Sequence, residues 1–253
     1  MLIIVLQLVV LLLYHQYFKI VNFPASSEEF LSGQILLIDK PLGWTSFDIV
    51  KKIKTLIRTR YKLKKIKVGH AGTLDPLATG LLIVCTGKFT KQIHEIQCQE
   101  KTHTGSITLG GTTPSYDLET KIDNDFETTH ITKQLIKNTI TEFVGEIDQK
   151  PPVFSALKKD GERLYLKARR GEKVEVESRK VTIYSFDITT IEMPKLYFQI
   201  KCSKGTYIRS IAHDFGIALK SGGHLSGLCR TAIGEYLLKD AFDISFFEKQ
   251  LNK

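Results

Sequence analysis

The change of hydrophobic period between Leu196 and Leu219 is the feature that most constrains the fold. Every second residue from Leu196 to Cys202 is apolar, which predicts a strand with one buried face. Gly205 then turns the chain, and from Ile208 to Leu219 the apolar residues recur at helical spacing. A one-sided strand that leads directly into an amphipathic helix predicts a sheet covered by helices.

Short apolar runs bounded by turn residues predict further strands. They lie at Gln34–Ile38, Leu81–Cys85 and Gly105–Leu109. Helices and strands follow one another without the regular alternation that a parallel sheet requires, so the sequence predicts an α+β fold around a mixed or largely antiparallel sheet, flanked by helices. No linker or shift of composition marks a boundary after Ser26, so residues 26–253 are predicted to form one domain.

A helix with a basic face is predicted to begin near Thr45 or Ser46, either of which could cap it. Its core face is expected to carry the apolar residues at helical spacing: Phe47, Val50, Ile53 and Ile57. From Lys51 to Lys67 the chain has nine basic residues and no acidic one, within a net charge of +9 for the whole sequence. Such a run is either a solvated helix face or a phosphate-binding surface, and unrelieved like charge favours the second.

The first 25 residues do not fit this pattern. Residues 1–18 carry no Lys, Arg, Asp or Glu, and the densely apolar part at 1–13 is shorter than the ~20 residues that a membrane span needs. The early positive charge and well-placed cleavage site of a signal peptide are missing. A membrane anchor, a signal sequence and translation from a start codon placed too early all stay open. We favour the last, because nothing else in the sequence indicates export.

The cysteines and the usual cofactor signatures give no sign of a metal or an organic cofactor. Cys85, Cys98, Cys202 and Cys229 form no C-x-x-C pair, which argues against zinc and against a disulfide framework. The glycine patterns of phosphate loops and dinucleotide sites are missing, and the pair His213-Asp214 lacks recognisable further ligands. We therefore expect no cofactor, no metal, and reduced thiols in the cytoplasm.

Asp75 stands alone in the segment GHAGTLDPLATG, which runs from Gly69 to Gly80. Three glycines and Pro76 control the backbone around this one carboxylate, and Pro76 favours an extended conformation at Asp75. The pattern suits an aspartate that only satisfies backbone groups, and it also suits a nucleophile or base that is held rigidly. From these residues alone, the purely structural interpretation is the stronger one.

Two further segments, Gln149–Gly171 and Cys202–Gly216, carry candidate site residues. The first is rich in basic residues and begins with two prolines. In the second, Tyr207 and Arg209 are expected in the first turn of the helix, where strand ends commonly present side chains to a site. An arginine there could pair with a buried carboxylate and keep it ionised, or it could face solvent.

Four blocks of this sequence, taken together and in order, resemble the bacterial tRNA pseudouridine-55 synthase family of the synthase B type. They are DKPLGWTS (Asp39 to Ser46), GHAGTLDPLATGLL (Gly69 to Leu82), QKPPVFSALKKDGERLY (Gln149 to Tyr165) and CSKGTYIRS (Cys202 to Ser210). The resemblance runs over roughly residues 28–234. It implies a pseudouridine synthase fold and conversion of a T-loop uridine of tRNA to pseudouridine without a metal or organic cofactor. The uracil must leave C1′, rotate and rejoin through C5.

The resemblance also implies roles for individual residues. Asp75 matches the catalytic aspartate, which attacks C1′, adds to C6 or assists a glycal intermediate. Arg209 matches the arginine that pairs with this aspartate, and Tyr207 matches a tyrosine of the active-site wall. His70 matches the histidine that occupies space near the flipped-out nucleotide, which offsets part of the cost of flipping.

His103 departs from the family pattern. The family usually has a tyrosine in the block written here KTHTGSITLGG, where it stacks on the target base. Histidine can still stack and accept a proton, but its face is smaller and its acid/base range differs, so we expect reduced or altered turnover rather than none. Beside His70, the residues expected to contact RNA are these: Lys40, Lys64, Lys65, Lys67, Lys158, Arg163 and Lys204.

Many relatives carry a small RNA-binding domain at the C-terminus, and the roughly 20 residues after Gly234 are too few for an independent domain. We therefore expect tRNA binding, by a monomer, to depend on the catalytic domain and on salt. Two alternatives stay open. One is a related synthase that acts on another RNA stem-loop, and the other is a non-catalytic tRNA-folding helper that binds and flips without turnover.

Overall fold

The computed structural model of this protein describes residues 23–253. Its α-helices are α1 (Ser27–Ser32), α2 (Ser46–Arg60), α3 (Ile93–Cys98), α4 (Lys133–Ile140), α5 (Leu164–Arg169), α6 (Ile208–Ala218) and α7 (Ile244–Leu251). Its strands are β1 (Ile35–Lys40), β2 (Val68–His70), β3 (Ala78–Thr86), β4 (Lys101–Leu109), β5 (Gly111–Thr112), β6 (Asn124–Asp125), β7 (Gly145–Gln149), β8 (Lys158–Lys159), β9 (Glu162–Arg163), β10 (Arg179–Glu192), β11 (Lys195–Cys202), β12 (Gly223–Ile233) and β13 (Tyr236–Leu237). Short 3-10 helices lie at Gly87–Gln92, Thr141–Phe143 and Leu238–Asp240.

The chain divides into two compact units. The first consists of the described residues up to Cys98 together with Arg230–Lys253, and the second is Gln99–Cys229. The prediction of one domain over residues 26–253 stays a prediction. The proposed apolar extension, residues 1–25, lies outside the described residues except for its last three.

Strand β3 is the centre of the first unit and is buried on both faces. It pairs antiparallel with β1, from Ile35 opposite Cys85 to Lys40 opposite Gly80, and β2 pairs with its C-terminal end. Leu82 and Val84 point into a core that α2 and α7 complete, while their neighbours Leu81 and Ile83 belong to a second core. Two-sided burial explains why this strand reads as an unbroken apolar run.

The second unit is built on four consecutive antiparallel neighbours, in the order β4, β11, β10 and β7. The apolar residues of β11 are at most 1% exposed, and helix α6 packs its own apolar face, including Ile211 and Phe215, into the same core. Both the alternating strand and the helix that follows it are therefore confirmed. Burying a side chain of this size contributes about 1.5–3 kcal/mol.

The predicted α+β fold is confirmed, since the ladders β1–β3, β4–β11, β10–β11 and β7–β10 are antiparallel and helices cover the sheets. The predicted helix α2 begins after Thr45, whose side chain and that of Asp48 form a reciprocal capping box. The placement of Phe47 in the core is wrong, because Phe47 is 69% exposed and Ile49 is buried instead. None of the helices in the described part of the chain is long and apolar enough to cross a membrane.

Candidate active site

Hydrogen bonds within the first unit fix the backbone on both sides of Asp75. The Leu74 amide donates to Ser46 Oγ at 2.8 Å, and the Ser46 hydroxyl donates to the Leu74 carbonyl at 3.1 Å. The Gly43 amide donates to the Pro76 carbonyl at 2.8 Å. Asp75 itself is half-buried. Its carboxylate therefore stands between two residues whose positions are set by the turn that precedes α2.

Arg230 of β12 fixes the start of the same loop. Its buried guanidinium donates from Nε to the Leu81 carbonyl at 2.8 Å and from Nη2 to the Gly72 carbonyl at 3.0 Å. Nη1 lies 3.4 Å from the Thr73 carbonyl. Gly72 has a φ of +108°, which a residue with a side chain rarely adopts. One arginine and one glycine thus determine how the chain approaches Asp75.

Lys40, at the end of β1, is completely buried. Its ammonium donates to the carbonyls of Pro41 at 2.9 Å and Trp44 at 2.7 Å, which shapes the turn before α2. Burial lowers the pKa of Lys40 to about 8, and the negative charge of Asp75 opposes that fall. A side chain without exposed surface offers RNA no contact in this conformation, so the structure favours a role for Lys40 in shaping the turn.

His70 lies half-buried in β2, in the same unit as Asp75. Burial, together with the positive charge of Arg230, lowers the pKa of its imidazole. The ring is therefore neutral at pH 7. A neutral aromatic ring is suited to packing against a base, as expected for this residue, rather than to pairing with a phosphate.

Arg209, in the first turn of α6, is a buried cation of the second unit and is only 3% exposed. Its Nη1 donates to the carbonyls of Phe154 at 2.9 Å and Ser115 at 3.3 Å, and its Nε lies 3.6 Å from Asp117 Oδ2. The alternative of a solvent-facing arginine is therefore wrong. The predicted pairing of Arg209 with Asp75 concerns residues of different units and stays a prediction.

Tyr207 is the N-cap residue of α6, one position before the first turn in which the sequence predicted it. Its amide donates to Gln149 Oε1 at 2.7 Å, and its carbonyl accepts from Gln149 Nε2 at 3.0 Å. The Arg179 guanidinium lies 4.8 Å from the centre of the tyrosine ring. The side-chain amide of a buried glutamine therefore anchors the backbone of Tyr207, while the tyrosine is only half-buried.

His103 lies in β4 and is 7% exposed. Its partner across the ladder is Ile200, and its Nδ1 is 3.9 Å from Cys202 Sγ. The imidazole thus occupies a confined place among buried side chains of the second unit. Whether it stacks on a base, as the resemblance implies, stays a prediction.

The remaining residues expected to contact RNA are on the surface. Lys64, Lys65 and Lys67 are exposed in the segment between α2 and β2. In the second unit, Lys158 in β8, Arg163 in β9 and Lys204 after β11 are exposed as well. All six basic side chains are exposed to solvent, each within its own unit.

The arrangement in the first unit suits carboxylate chemistry. A half-buried acid, held by its backbone in electropositive surroundings, is positioned to act as a nucleophile or base. Within the described residues, no group of three or more His, Cys, Asp or Glu side chains could hold a metal ion. Two contributors, Arg230 and Asp117, gave no signal in the sequence, because neither belongs to a recognisable motif.

Comparison with known proteins identifies the family. The model described as TruB family pseudouridylate synthase (N terminal domain) matches residues 58–208. The tRNA pseudouridine synthase B of Flavobacterium johnsoniae is 61% identical over 225 residues, which cover 88% of this chain and 98% of the relative. The enzyme of the same name from Phocaeicola vulgatus is 48% identical over 224 residues, or 88% of this chain and 95% of the relative.

Solved structures agree on the fold. A chain from the crystal structure of a Cbf5-Nop10-Gar1 complex matches 86% of this chain with 28% identity and a TM-score of 0.64. A second, from an H/ACA RNP bound to a substrate RNA containing 2′-deoxyuridine, matches 87% with 26% identity and a TM-score of 0.62. The match spans 54% of either solved chain, about half its length. The fold is that of the pseudouridine synthases, and the chain belongs to the TruB family of pseudouridylate synthases.

Proposed function

We propose that this protein is a tRNA pseudouridine synthase that isomerises uridine 55 in the T loop of tRNA. The observation that carries the proposal is the 61% identity to a tRNA pseudouridine synthase B over nearly the full length of that relative. The position within tRNA follows from the four sequence blocks that resemble the pseudouridine-55 synthases.

Asp75 is the catalytic residue in this proposal. The reaction breaks the bond between N1 of uracil and C1′ of the ribose, turns the base, forms a bond from C5 to C1′ and leaves a proton on N1 in place of the one lost from C5. A carboxylate that is already oriented can engage the sugar or the base without reorganising when the substrate arrives. The hydrogen bonds at Leu74 and Pro76 supply that orientation.

Further residues have roles in this proposal, as the resemblance to the family implies. Arg209 keeps Asp75 ionised, Tyr207 lines the wall, and His103 stacks on the target base. His70 occupies space beside the flipped nucleotide, which the neutral state of its ring supports. Because flipping a base costs a few kcal/mol, an aromatic filler offsets part of that cost.

The exposed basic residues supply the affinity for the tRNA backbone. Lys64, Lys65 and Lys67 extend the run that starts at Lys51, and Lys158, Arg163 and Lys204 add cations in the second unit. None of the four cysteines is part of a disulfide, which supports a reducing compartment such as the cytoplasm. We further propose that the enzyme acts as a monomer on tRNA.

Replacing Asp75 by asparagine tests the catalytic assignment. The amide keeps the shape of the side chain but lacks its charge and nucleophilicity, so we expect pseudouridine formation in a tRNA transcript to fall by at least about 10³-fold, in the range that loss of a nucleophile costs. Nucleoside analysis by mass spectrometry measures the product, and filter binding measures the affinity for tRNA, which should stay close to that of the wild type.

Asp187→Asn is the matched control, because Asp187 is an exposed aspartate in β10. It should leave the rate unchanged. A fully active Asp75→Asn protein would refute the nucleophile. A wild type that forms no pseudouridine, and whose effect on tRNA folding Asp75→Asn leaves unchanged, would support a tRNA-folding helper instead. Mapping pseudouridine in RNA from cells that lack the protein then separates position 55 of tRNA from another stem-loop.

A further inference from the structure

Large apolar side chains are exposed beside the loop that carries Asp75. Leu42, Trp44 and Phe47 lie in or after the turn that precedes α2, and they are 63%, 36% and 69% exposed. Leu77, two residues after Asp75, is 39% exposed. Exposed apolar groups of this size, gathered on two neighbouring segments, are characteristic of a surface that receives a ligand.

An open groove of about 450 Å³ begins at this turn and follows one face of α2. Gly43 and Trp44 form its head. Its floor consists of residues spaced by three or four along the helix, so they share one face. They are Asp48, Lys51, Lys52 and Thr55.

The head of the groove is rigid. The Gly43 amide is bonded to Pro76, and the Trp44 carbonyl accepts from the buried Lys40 ammonium. Gly43 has a φ of +83°, so the turn depends on glycine there. Trp44 is therefore presented to solvent by a backbone that is connected directly to the Asp75 loop.

Lys51 is the cation that this groove offers to an anion. The carboxylate of Asp48 is engaged by Thr45, through the backbone amide at 3.0 Å and the hydroxyl at 2.6 Å. Lys52 pairs with Glu248 at 3.0 Å. Lys51 is exposed in the same groove, and the structure gives it no ion pair within the described residues. The run of basic residues from Lys51 to Lys67 extends the positive charge along the chain.

We propose that this groove binds one unpaired nucleotide of the RNA substrate, with its base stacked on the Trp44 indole and its phosphate paired with Lys51. The inference rests on the proposed function, because it takes RNA as the ligand. An aromatic face beside a lysine matches the two parts of a nucleotide, the flat base and the charged phosphate. An acidic peptide would use the lysine but would gain less from the indole.

The fluorescence of Trp44 can be used to measure binding in the groove, because Trp44 is the single tryptophan of the sequence. Titration of the Asp75→Asn protein with a T-arm stem-loop RNA should quench the tryptophan fluorescence in a saturable way and protect it from acrylamide. The Asp75→Asn background removes turnover, so the signal reports binding alone. Adding Lys51→Gln should shift the quenching to higher RNA concentrations. Lys137→Gln, at an exposed lysine of α4, is the matched control and should not shift it.

Binding of fluorescently labelled RNA gives a second readout that needs no tryptophan. Trp44→Ala should raise the Kd by about 5- to 100-fold, the range that loss of one stacked base gives. Trp44→Phe should recover most of the affinity, which a purely structural role of the indole in folding would not predict. Circular dichroism and thermal melting establish that the variants are folded.

The two hypotheses can fail separately. Pseudouridine formation by the wild type without quenching of Trp44 at saturating RNA would overturn the nucleotide groove and leave the enzyme assignment intact. Quenching of Trp44 with no pseudouridine in any RNA would overturn the enzyme assignment and leave the nucleotide groove intact. An unchanged Kd for Trp44→Ala would also overturn the inference.

Discussion

Burial and charge oppose each other at Lys40. The side chain has no exposed surface, yet its ammonium bonds two backbone carbonyls and lies within the electrostatic reach of Asp75. Desolvation dominates, and the pKa of Lys40 falls from its ordinary value of 10.5 to about 8. The protein therefore holds a cation within the electrostatic reach of Asp75 at neutral pH, at a cost in stability.

This cost predicts a pH dependence of stability. Between pH 8 and 10.5 the unfolded chain keeps the Lys40 proton while the folded protein loses it, so the unfolded state binds more protons and stability rises with pH. Relative to Lys40→Met, the wild type should gain up to about 3 kcal/mol of unfolding free energy between about pH 7.5 and about pH 10.

Urea unfolding at the two pH values measures the difference. Lys137→Met removes an exposed lysine of α4. Its unfolding free energy should depend on pH in the same way as that of the wild type. If the curves of wild type and Lys40→Met ran parallel across this range, the lowered pKa would be wrong. The sequence showed Lys40 only as a residue of a turn motif, because whether a lysine is buried depends on packing that no local pattern records.

At the scale of elements, helix α2 positions the Asp75 loop through Ser46. This residue is 2% exposed, and its hydroxyl both accepts from and donates to the backbone of Leu74. Ser46→Ala leaves two buried backbone groups without this partner, which should cost about 1–3 kcal/mol. Because Leu74 precedes Asp75, the single-turnover rate should fall as well, by roughly tenfold or more.

A matched control separates stability from activity. Thr132 caps α4 in the second unit, where its side chain accepts from the Leu135 amide at 3.1 Å. Thr132→Ala should lower stability by about 1 kcal/mol, as for other helix caps, and leave the rate near that of the wild type. Equal losses of rate in both variants would mean that Ser46 acts only through global stability.

The elements themselves were largely predictable, because their hydrophobic periods reflect burial. The strand around Leu81–Cys85 and the helix from Ile208 onward lie where their patterns indicate. Phe47 was misassigned because apolar residues in the first turn of a helix can satisfy the spacing and still lie off the buried stripe. The stripe of α2 runs through Ile49, Ile53 and Ile57, which are fully buried.

At the scale of the whole molecule, a net charge of +9 predicts that tRNA binding depends steeply on salt. Replacing Lys64, Lys65 and Lys67 by Gln should reduce the slope of log K against log salt by about 2–3, if each lysine neutralises one phosphate. Filter binding over a salt series from about 50 to about 200 mM gives the slope.

The control set for the salt series consists of exposed lysines of the second unit, Lys121, Lys133 and Lys137. Their replacement should change the slope less than replacement of the predicted RNA-binding set. A flat salt response of the wild type would contradict the electrostatic account altogether.

Only those residues of the candidate site that lie in recognisable sequence motifs could be predicted. Asp75, Tyr207 and Arg209 belong to blocks that can be read locally. Asp117 is recognisable only because it lies 3.6 Å from Arg209. Arg230 is recognisable only because it donates to the carbonyls of Leu81 and Gly72, 149 and 158 residues away in sequence. Contacts of such sequence separation arise from the fold, so no single stretch of the chain indicates them.

The dependence of the Asp75 loop on Arg230 has a consequence for protein synthesis. When the segment around Gly72 leaves the ribosome, the strand that carries Arg230 has not yet been translated, since chains emerge from the N-terminus onward. The segment around Asp75 is therefore synthesised long before Arg230, whose guanidinium hydrogen-bonds the carbonyls of Gly72 and Leu81. Polysomes engaged on this message should bear no isomerase activity until the segment that carries Arg230 has been translated.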